Sequence, residues 1–507
     1  MYSTRTTKTA SGATAVQIVK YELRKKIVVK HIGSAHTTDE LLSLKQLAFN
    51  WIEKESQQPP LFLLEKPVQN LIPIDKCQYL GFRYTFTYET ISKIFHLFCL
   101  DGIDRFLLDL ILIRIVQPAS KLESLELLSE FFGKTYKRTN LYRSIPEFVA
   151  LKNTIEEKFV IFAKKHLGFD FSIVFYDVTT LYFESFNEDK EGFRKIGFSK
   201  DNKANQPQIV IGLIVTHDGF PVSYDVFAGN TFEGKTFIPT ITKFKNTHKI
   251  KNLTVVADAA MISFPNIQNL IANNLSYIVG GRLASLKQKE IEEINQKLTG
   301  KEENLKKLKK KDCLSTRIET ERGTLICDFS FKRYQKDKRE MDKRITKAKK
   351  LLEENEGTKR TKFIKNKDDK KTEQVLNTNL IKKTKLLLGI KGYYTNLTDE
   401  TDKAIIDHYH DLWHVEKAFR IAKSDLAMRP IYHFKKQAIE AHILICFMAL
   451  AVCEYMELKT TRSIKRIVKL LKGVTDARLK NMLTNEEYIL RSKIPEETGK
   501  LLKILWY

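Results

Sequence analysis

The sequence predicts an α/β fold: a mixed sheet flanked by helices and carrying a charged insertion, with an N-terminal α+β region of hairpin and helices and a helical C-terminus. Three observations predict it. FSIVFYDVTTLYFE, from Phe171, is a β-prone run that suits a central strand. Strand-like and helix-like segments then alternate as far as residue 283. Between residues 287 and 385, 31 lysines and arginines stand against 18 acids, an excess of 13, before sheet-like sequence returns at LLLGIKGYYTNLT.

The composition narrows the partners. A chain of 507 residues has room for two to four domains and a sizeable core. Its 86 lysines and arginines exceed its 61 acids, a formal net charge of +25. That excess favours a polyanion, and nucleic acid is the commonest. A membrane surface is the alternative, but the longest apolar run, Ile443 to Cys453, is too short to span a bilayer. The opening MYSTRTTKTASGATAV lacks the apolar core of a signal peptide. The six cysteines include no CxxC pair, which argues against a zinc ribbon or a disulfide framework and for a reducing cytoplasm.

In chain order, residues 1–60 read as a hairpin followed by a helix. AVQIVKYELRKKIVVKHIGS alternates β-branched residues, and Thr37-Thr38-Asp39-Glu40 forms a capping box opening a helix to about Glu55. Residues 61–168 read as a helical, DNA-binding domain. Pro118 and Ser120 break one helix and start the next, a corner that can grip DNA, and Lys134, Lys137, Arg138 and Arg143 follow it. Residues 169–283 hold three strands, a helix, a strand, a helix and a strand, with the second and third strands joined at Asp218-Gly219. Residues 284–388 form the Lys-rich insertion, in which two charged helical stretches flank a hairpin turning at Arg322-Gly323. Residues 389–460 return to the sheet domain and end in KKQAIEAHILICFMALAVCEYMEL, an almost wholly apolar core helix. Residues 461–507 read as helices with basic faces.

Three acids carry the candidate chemistry. Asp177 lies on a strand flanked by apolar residues, and Asp258 ends the short buried strand VVAD. A charge at such a position needs a compensating partner. Alone, Asp258 reads as a helix cap and Asp177 as a turn-facing acid. Glu416 sits in YHDLWHVEKAFRIAKSDLAMRP, Tyr409 to Pro430. Read as one helix, that segment puts Tyr409, Trp413, Arg420 and Lys423 on the face of Glu416, beside an apolar stripe of Leu412, Val415, Phe419, Ala422 and Leu426. Alone it reads as an amphipathic helix with solvated charges. Together the three acids can converge on one sheet edge. Such a cluster repels itself unless cations fill it, and two Mg²⁺ ions roughly 4 Å apart with oxygen ligands would do so. His410 and His414 are four apart but have no third ligand, Glu184 reads as an ion-pair acid, and Asp225 and Glu233 read as surface acids.

These blocks resemble insertion-sequence transposases of the DDE type, closest to the IS-four superfamily and its IS-sixteen-thirty-four branch. That superfamily's third block spaces Tyr, Arg, Glu and Lys as Tyr409, Glu416 and Lys423 stand here, with Leu412 at the arginine position. YDVTTLYFE resembles the first block and VVADAAMIS the second, and QIVIGLIVTHDGFPVSYDVFAGNT, GIKGYYTNL and RPIYH also match. The resemblance implies a ribonuclease H-like core with Asp177, Asp258 and Glu416 as catalytic and metal-binding acids. It implies two Mg²⁺ ions, which Mn²⁺ can replace, and DNA contacts through Tyr409, Trp413, Arg420 and Lys423. It also implies hydrolysis at the element's ends to free 3′-hydroxyls, their transfer to target DNA by a cut-and-paste route, and a homodimer that pairs two ends. In relatives the insertion between the second and third acids is largely β and contacts the DNA end. The expected location is the bacterial cytoplasm, at the nucleoid. Two rivals stand beside this reading: an inactive or repurposed DNA-binding protein derived from a transposase, and a host nuclease on the same fold.

Overall fold

The computed structural model describes residues 2–22, 25–56, 76–189, 192–203, 205–261, 263–300, 314–321, 323–353, 362–366 and 374–506. They form two compact units, one of Met1–Lys93, Leu125–Tyr136 and Lys465–Tyr507, the other of Ile94–Ser124 and Lys137–Ile464.

The first unit opens with a three-stranded antiparallel sheet, β1 (Tyr2–Lys8), β2 (Thr14–Glu22) and β3 (Lys25–Ala35). The expected hairpin is β2–β3, and the Thr-rich segment before it adds a strand. Alternation turns Val16 and Ile18 inward, where Ile32, Leu44 and Ala48 cover them. Leu44 and Ala48 belong to α1 (Thr38–Ser56), which starts at the capping box: Thr37 accepts from the Glu40 amide at 3.3 Å, and Glu40 accepts from the Thr37 amide at 3.2 Å.

The expected helical C-terminus is only partly helical. After α15 (Ile464–Lys472) comes a hairpin, β15 (Asp476–Asn481) and β16 (Glu487–Arg491), before α16 (Glu496–Trp506). β15 also pairs with β4 (Cys77–Arg83), nearly four hundred residues earlier, so the ladder that holds it is non-local. The turn contains Asn485 in the left-handed region, which Asn tolerates. Arg491 fixes the hairpin through Asp476 at 2.7 Å and Glu89 at 3.0 Å.

In sequence between these parts come α2 (Thr85–Leu97), α3 (Arg105–Val116), α4 (Lys121–Phe132), α5 (Arg138–Ala150) and α6 (Lys152–His166), of which α3, α5 and α6 belong to the second unit. Ser120 caps α4 by accepting from the Glu123 amide at 3.2 Å, as its place after Pro118 suggested. α4 exposes Glu123, Glu126 and Glu130, the wrong charge for a helix laid in a DNA groove.

The second unit is built on an eight-stranded sheet. β5 (Ile173–Tyr182), β6 (Gln208–Val215) and β7 (Pro221–Ala228) are antiparallel neighbours, joined between β6 and β7 by a turn with Gly219 at φ +92°. α7 (Glu233–Thr247) leads to β8 (Thr254–Ala257), parallel to β5, and α8 (Phe264–Ala272) leads to β9 (Ser276–Gly281), parallel to β8. The chain then makes α9 (Gln288–Leu298), β10 (Leu314–Thr320), β11 (Gly323–Phe329), α10 (Phe331–Glu353), the short pair β12 (Ile364–Asn366) and β13 (Gln374–Leu376), α11 (Thr378–Leu386) and β14 (Ile390–Thr395). The expected hairpin is β10–β11, with Gly323 at φ +109°; Arg322 lies outside the described residues. It is part of the sheet itself: β11 pairs with β14 and β14 with β9, giving the order β10-β11-β14-β9-β8-β5-β6-β7. β11 is apolar on both faces, with Leu325 on one and Ile326 on the other, so both need covering.

α12 (Asp402–His410), α13 (Trp413–Arg420) and α14 (Lys436–Thr460) complete the unit. α14 is long and apolar enough to cross a membrane, yet 94% of that stretch is buried inside the protein. It packs against α3, α5 and β7, which makes it the core helix that its composition suggested.

The pairing of the hairpin with the sheet can be tested. Leu325 is 0% exposed, and its Cδ1 lies 3.1 Å from where a Cβ on Gly281 or Gly392 would be. Leu325→Ala is expected to cost about 2–5 kcal/mol and to lower the thermal midpoint by several degrees. An unchanged midpoint by calorimetry would show the hairpin to be a detached arm.

Candidate active site

The parallel pairing of β5 with β8 sets the site. Tyr176 stands opposite Ala257, so Asp177 and Asp258 occupy adjacent positions on neighbouring strands and share a face. Asp177 is half-buried, and burial pushes its carboxyl up to about 6, with Asp258 and Glu233 adding to the rise. Lys200 opposes that shift. Its ammonium donates to the Val178 carbonyl at 2.6 Å and pairs with Glu233 at 2.8 Å. Glu233, which the sequence suggested as a surface acid, therefore borders the site from the first turn of α7.

Asp258 is exposed, and the Tyr409 hydroxyl donates to its Oδ1 at 3.1 Å. Tyr409 is buried, and burial first, then Asp258, hold its phenol protonated well above the usual range. Its hydroxyl rests on Gly280, where a Cβ would come within 2.5 Å of the phenol oxygen. The register makes that close approach necessary, since Gly280 of β9 is the next position across from Asp258. The Tyr409 ring lies 4.7 Å from that of Tyr393, whose hydroxyl donates to Asp328 at 2.8 Å. Lys391 places its ammonium 4.3 Å from the Tyr409 ring centroid.

Glu416 is exposed on α13, and its charge acts on Tyr409 and Lys391. Lys417 ties this helix to α14 through Glu454 at 2.9 Å and Glu457 at 2.8 Å. The structure thus brings Asp177 and Asp258 together and sets Glu416 nearby. Among the described residues no three of His, Cys, Asp or Glu gather closely enough to hold a metal ion. The donor set still suits a hard divalent cation: two carboxylates in register, one of them half-buried and raised mainly by that burial.

The continuous helix expected from Tyr409 is not formed. α12 ends at His410, and bonds from Leu412 to Tyr409, His414 to Asp411 and Val415 to Leu412 tighten the chain to a 3₁₀ turn. α13 is followed by a π turn over Ile421–Asp425, closed by Leu426 to Ile421 at 3.0 Å. The apolar stripe survives, with Leu412, Val415, Phe419, Ala422 and Leu426 all buried. The polar face divides. Trp413, half exposed and stacked on His414 at 4.0 Å, stays outside with Glu416 and Arg420. Tyr409 turns inward to Asp258. Lys423, in the π turn, is half-buried and pairs with Asp201 at 3.6 Å, and Arg429 pairs with the same carboxylate. Burial lowers the Lys423 ammonium.

Sequence reasoning missed Lys200, Asp201, Asp328, Arg333 and Lys391. Lys200 and Asp201 reach the site from a loop, Asp328 and Arg333 from a strand end and a helix start in the insertion, and Lys391 from the start of β14 just after it. Gly389 and Gly392 in GIKGYYTNL and the pair Gly280-Gly281 were the available signals of close packing there.

The raised Asp177 carboxyl has a consequence for stability. An acid whose native pKa lies above its unfolded value binds more protons in the native state between those values, so stability falls as pH rises from about 4 to about 6. Asp177→Asn should remove this loss and raise stability at pH 8 by roughly 1–3 kcal/mol, with little difference at pH 3.5. Added Mg²⁺ should raise the midpoint of the unsubstituted chain at pH 8 and not that of the variant. Thermal unfolding at both pH values checks both statements; an identical pH profile for the two proteins would sink them.

No curated protein matches the chain. Among solved structures, the piggyBac transposase synaptic complex with hairpin DNA aligns at 9% identity and a TM-score of 0.34, over 83% of this chain and 75% of that one. The Mos1 transposase paired-end complex with the left transposon end aligns at 13% identity and a TM-score of 0.16, over 46% and 66%. A pre-cleavage Mos1 transpososome aligns at 12% identity and a TM-score of 0.16, over 48% and 68%. The sequence model of the family described as Transposase DDE domain matches residues 168–452. That stretch takes in Asp177, Asp258 and Glu416 and more than half of the chain, so the protein belongs to the transposase DDE domain family.

Proposed function

We propose that this transposase binds the terminal inverted repeats of its insertion sequence, hydrolyses the phosphodiester at each end to free a 3′-hydroxyl, and joins that hydroxyl to target DNA. The observation that carries the reading is the register of β5 with β8, which sets Asp177 beside Asp258 with Tyr409 hydrogen-bonded to the second acid. A net charge of +25 suits a DNA partner. Three antiparallel strands followed by two parallel ones, with helices between, support a ribonuclease H-like core.

Asp177 and Asp258 would hold Mg²⁺, with Glu416 as the third acid from α13. Two such ions, when bound, activate water or the 3′-hydroxyl and stabilise the leaving 3′-oxygen. The chain's own residues do the rest. Tyr409 orients Asp258 by donating to one oxygen, which leaves the other free. Lys200 holds the β5 edge to Glu233. Trp413 and Arg420, exposed beside Glu416, meet the DNA, the first by stacking on a base and the second at a phosphate. Lys423 exchanges Asp201 for a phosphate when DNA enters. Pairing of two ends calls for a homodimer.

The test is cleavage of a labelled duplex that carries the element's own terminus. The expected result is nicking at the terminus that requires Mg²⁺, stops in EDTA and is lost in Asp258→Asn. Equal binding by both proteins with no cutting by either would favour a repurposed DNA-binding protein. Cutting without preference for the terminus would mark a general nuclease.

A further inference from the structure

Among the described residues, Lys391 and Arg333 are two cations without a carboxylate to hold. Lys391 is on β14, where alternation puts it on the same face as Tyr393. It stands opposite Asp328 in the β11–β14 register, but the Asp328 Oδ1 is taken by the Tyr393 hydroxyl. Arg333 lies in the first turn of α10, close enough to act on Lys391, Tyr393 and Tyr409. Both side chains are half-buried. Among the described residues neither forms an ion pair or a side-chain hydrogen bond. Other cations around the site differ: Lys200 holds Glu233, Lys417 holds Glu454, and Lys423 holds Asp201.

Leaving two like charges half-buried, side by side and unpaired is unfavourable. Here they also lie one side chain away from Asp258. The Lys391 ammonium is over the Tyr409 ring, and it is within electrostatic reach of both Asp258 and Glu416. The missing counter-charge is therefore an anion that arrives next to the acids.

We propose that Lys391, with Arg333, holds a backbone phosphate of the transposon end beside the scissile one, and so supplies the cation missing at Leu412. This rests on the transposase reading. Leu412 is 6% exposed and part of the apolar stripe, so its own position faces the core. Of the other cations on the Glu416 helix, Lys417 is held by Glu454 and Glu457, and Arg420 is exposed. Lys391 reaches the same place from the sheet. The role also gives the Lys-rich insertion a function in the site, because Arg333 begins its long helix.

The test reads binding and chemistry separately. Binding of the terminal duplex is measured in EDTA across a range of salt concentrations, and nicking with Mg²⁺, for the unsubstituted chain, Lys391→Gln, Lys391→Arg and Arg333→Gln. Lys391→Gln is expected to flatten the plot of log affinity against log salt by about 0.9 and to weaken binding at 0.1 M salt by about tenfold. Lys391→Arg should restore most of both, Arg333→Gln should flatten the slope similarly, and thermal midpoints should stay close to that of the unsubstituted chain. An unchanged slope in both glutamine variants overturns the proposal, as does loss of nicking in Lys391→Gln with an unchanged slope, which would mean that the lysine only balances the acids. Absence of nicking by the unsubstituted chain instead counts against the transposase reading, while the slopes still decide the phosphate contact.

Discussion

The parallel ladder between β5 and β8 is the constraint that the rest of the second unit serves. It sets two carboxylates on adjacent strands, an arrangement that costs free energy until cations reach it. Most of the surrounding detail limits that cost. Lys200 bonds to the backbone of β5 and to Glu233, near Asp177. Tyr409 donates to Asp258, and it can do so only because Gly280, one strand further on, has no side chain. Tyr393 and Asp328 then extend the polar chain to β11. A strand from the insertion is thus coupled to the acid at the centre of the sheet through two hydrogen bonds and one ring contact.

The Glu416 segment shows how a helix can keep its buried stripe and still redirect its polar side. Spacings of three and four residues between Leu412, Val415, Phe419, Ala422 and Leu426 are compatible with a 3₁₀ turn before α13 and a π turn after it. The overwound end draws Tyr409 inward, and the underwound end takes Lys423 to Asp201. Glu416, between them, stays on the exposed side. Regular periodicity places all five polar residues on one face, and the chain places three there.

What the sequence disclosed follows from this. The alternation of strands and helices from Phe171 to Leu283, the buried stripe, the core helix and the capping box at Thr37 are local patterns, and each was legible. Asp177, Asp258 and Tyr409 were identified from their sequence blocks, and the register accounts for how two of the acids meet. Glu233 was seen but misjudged, because its partner, Lys200, sits in an aperiodic loop. The hairpin β10–β11 was read as a unit, but its place in the sheet depends on pairing with β14, more than sixty residues on. β15 and its ladder with β4 were illegible for the same reason, since strands that complete each other across nearly four hundred residues leave no local signal.

Charge placement matters more here than total charge. The excess of 25 cations attracts DNA at long range, and salt at physiological strength screens it beyond about 8 Å. Contact with one phosphate requires a cation that is partly desolvated and held in place before DNA arrives. Around these acids most cations of that kind already have a carboxylate partner, and each must give it up to bind DNA. Among the described residues, Lys391 and Arg333 have none to give up. The desolvation of Lys391 is met during folding, by packing against Tyr409 and Tyr393 and by the field of Asp328, Asp258 and Glu416. A phosphate entering there replaces no internal ion pair, which is why this pair, rather than the more exposed Arg420 or the paired Lys423, is the better-prepared anion site beside the acids.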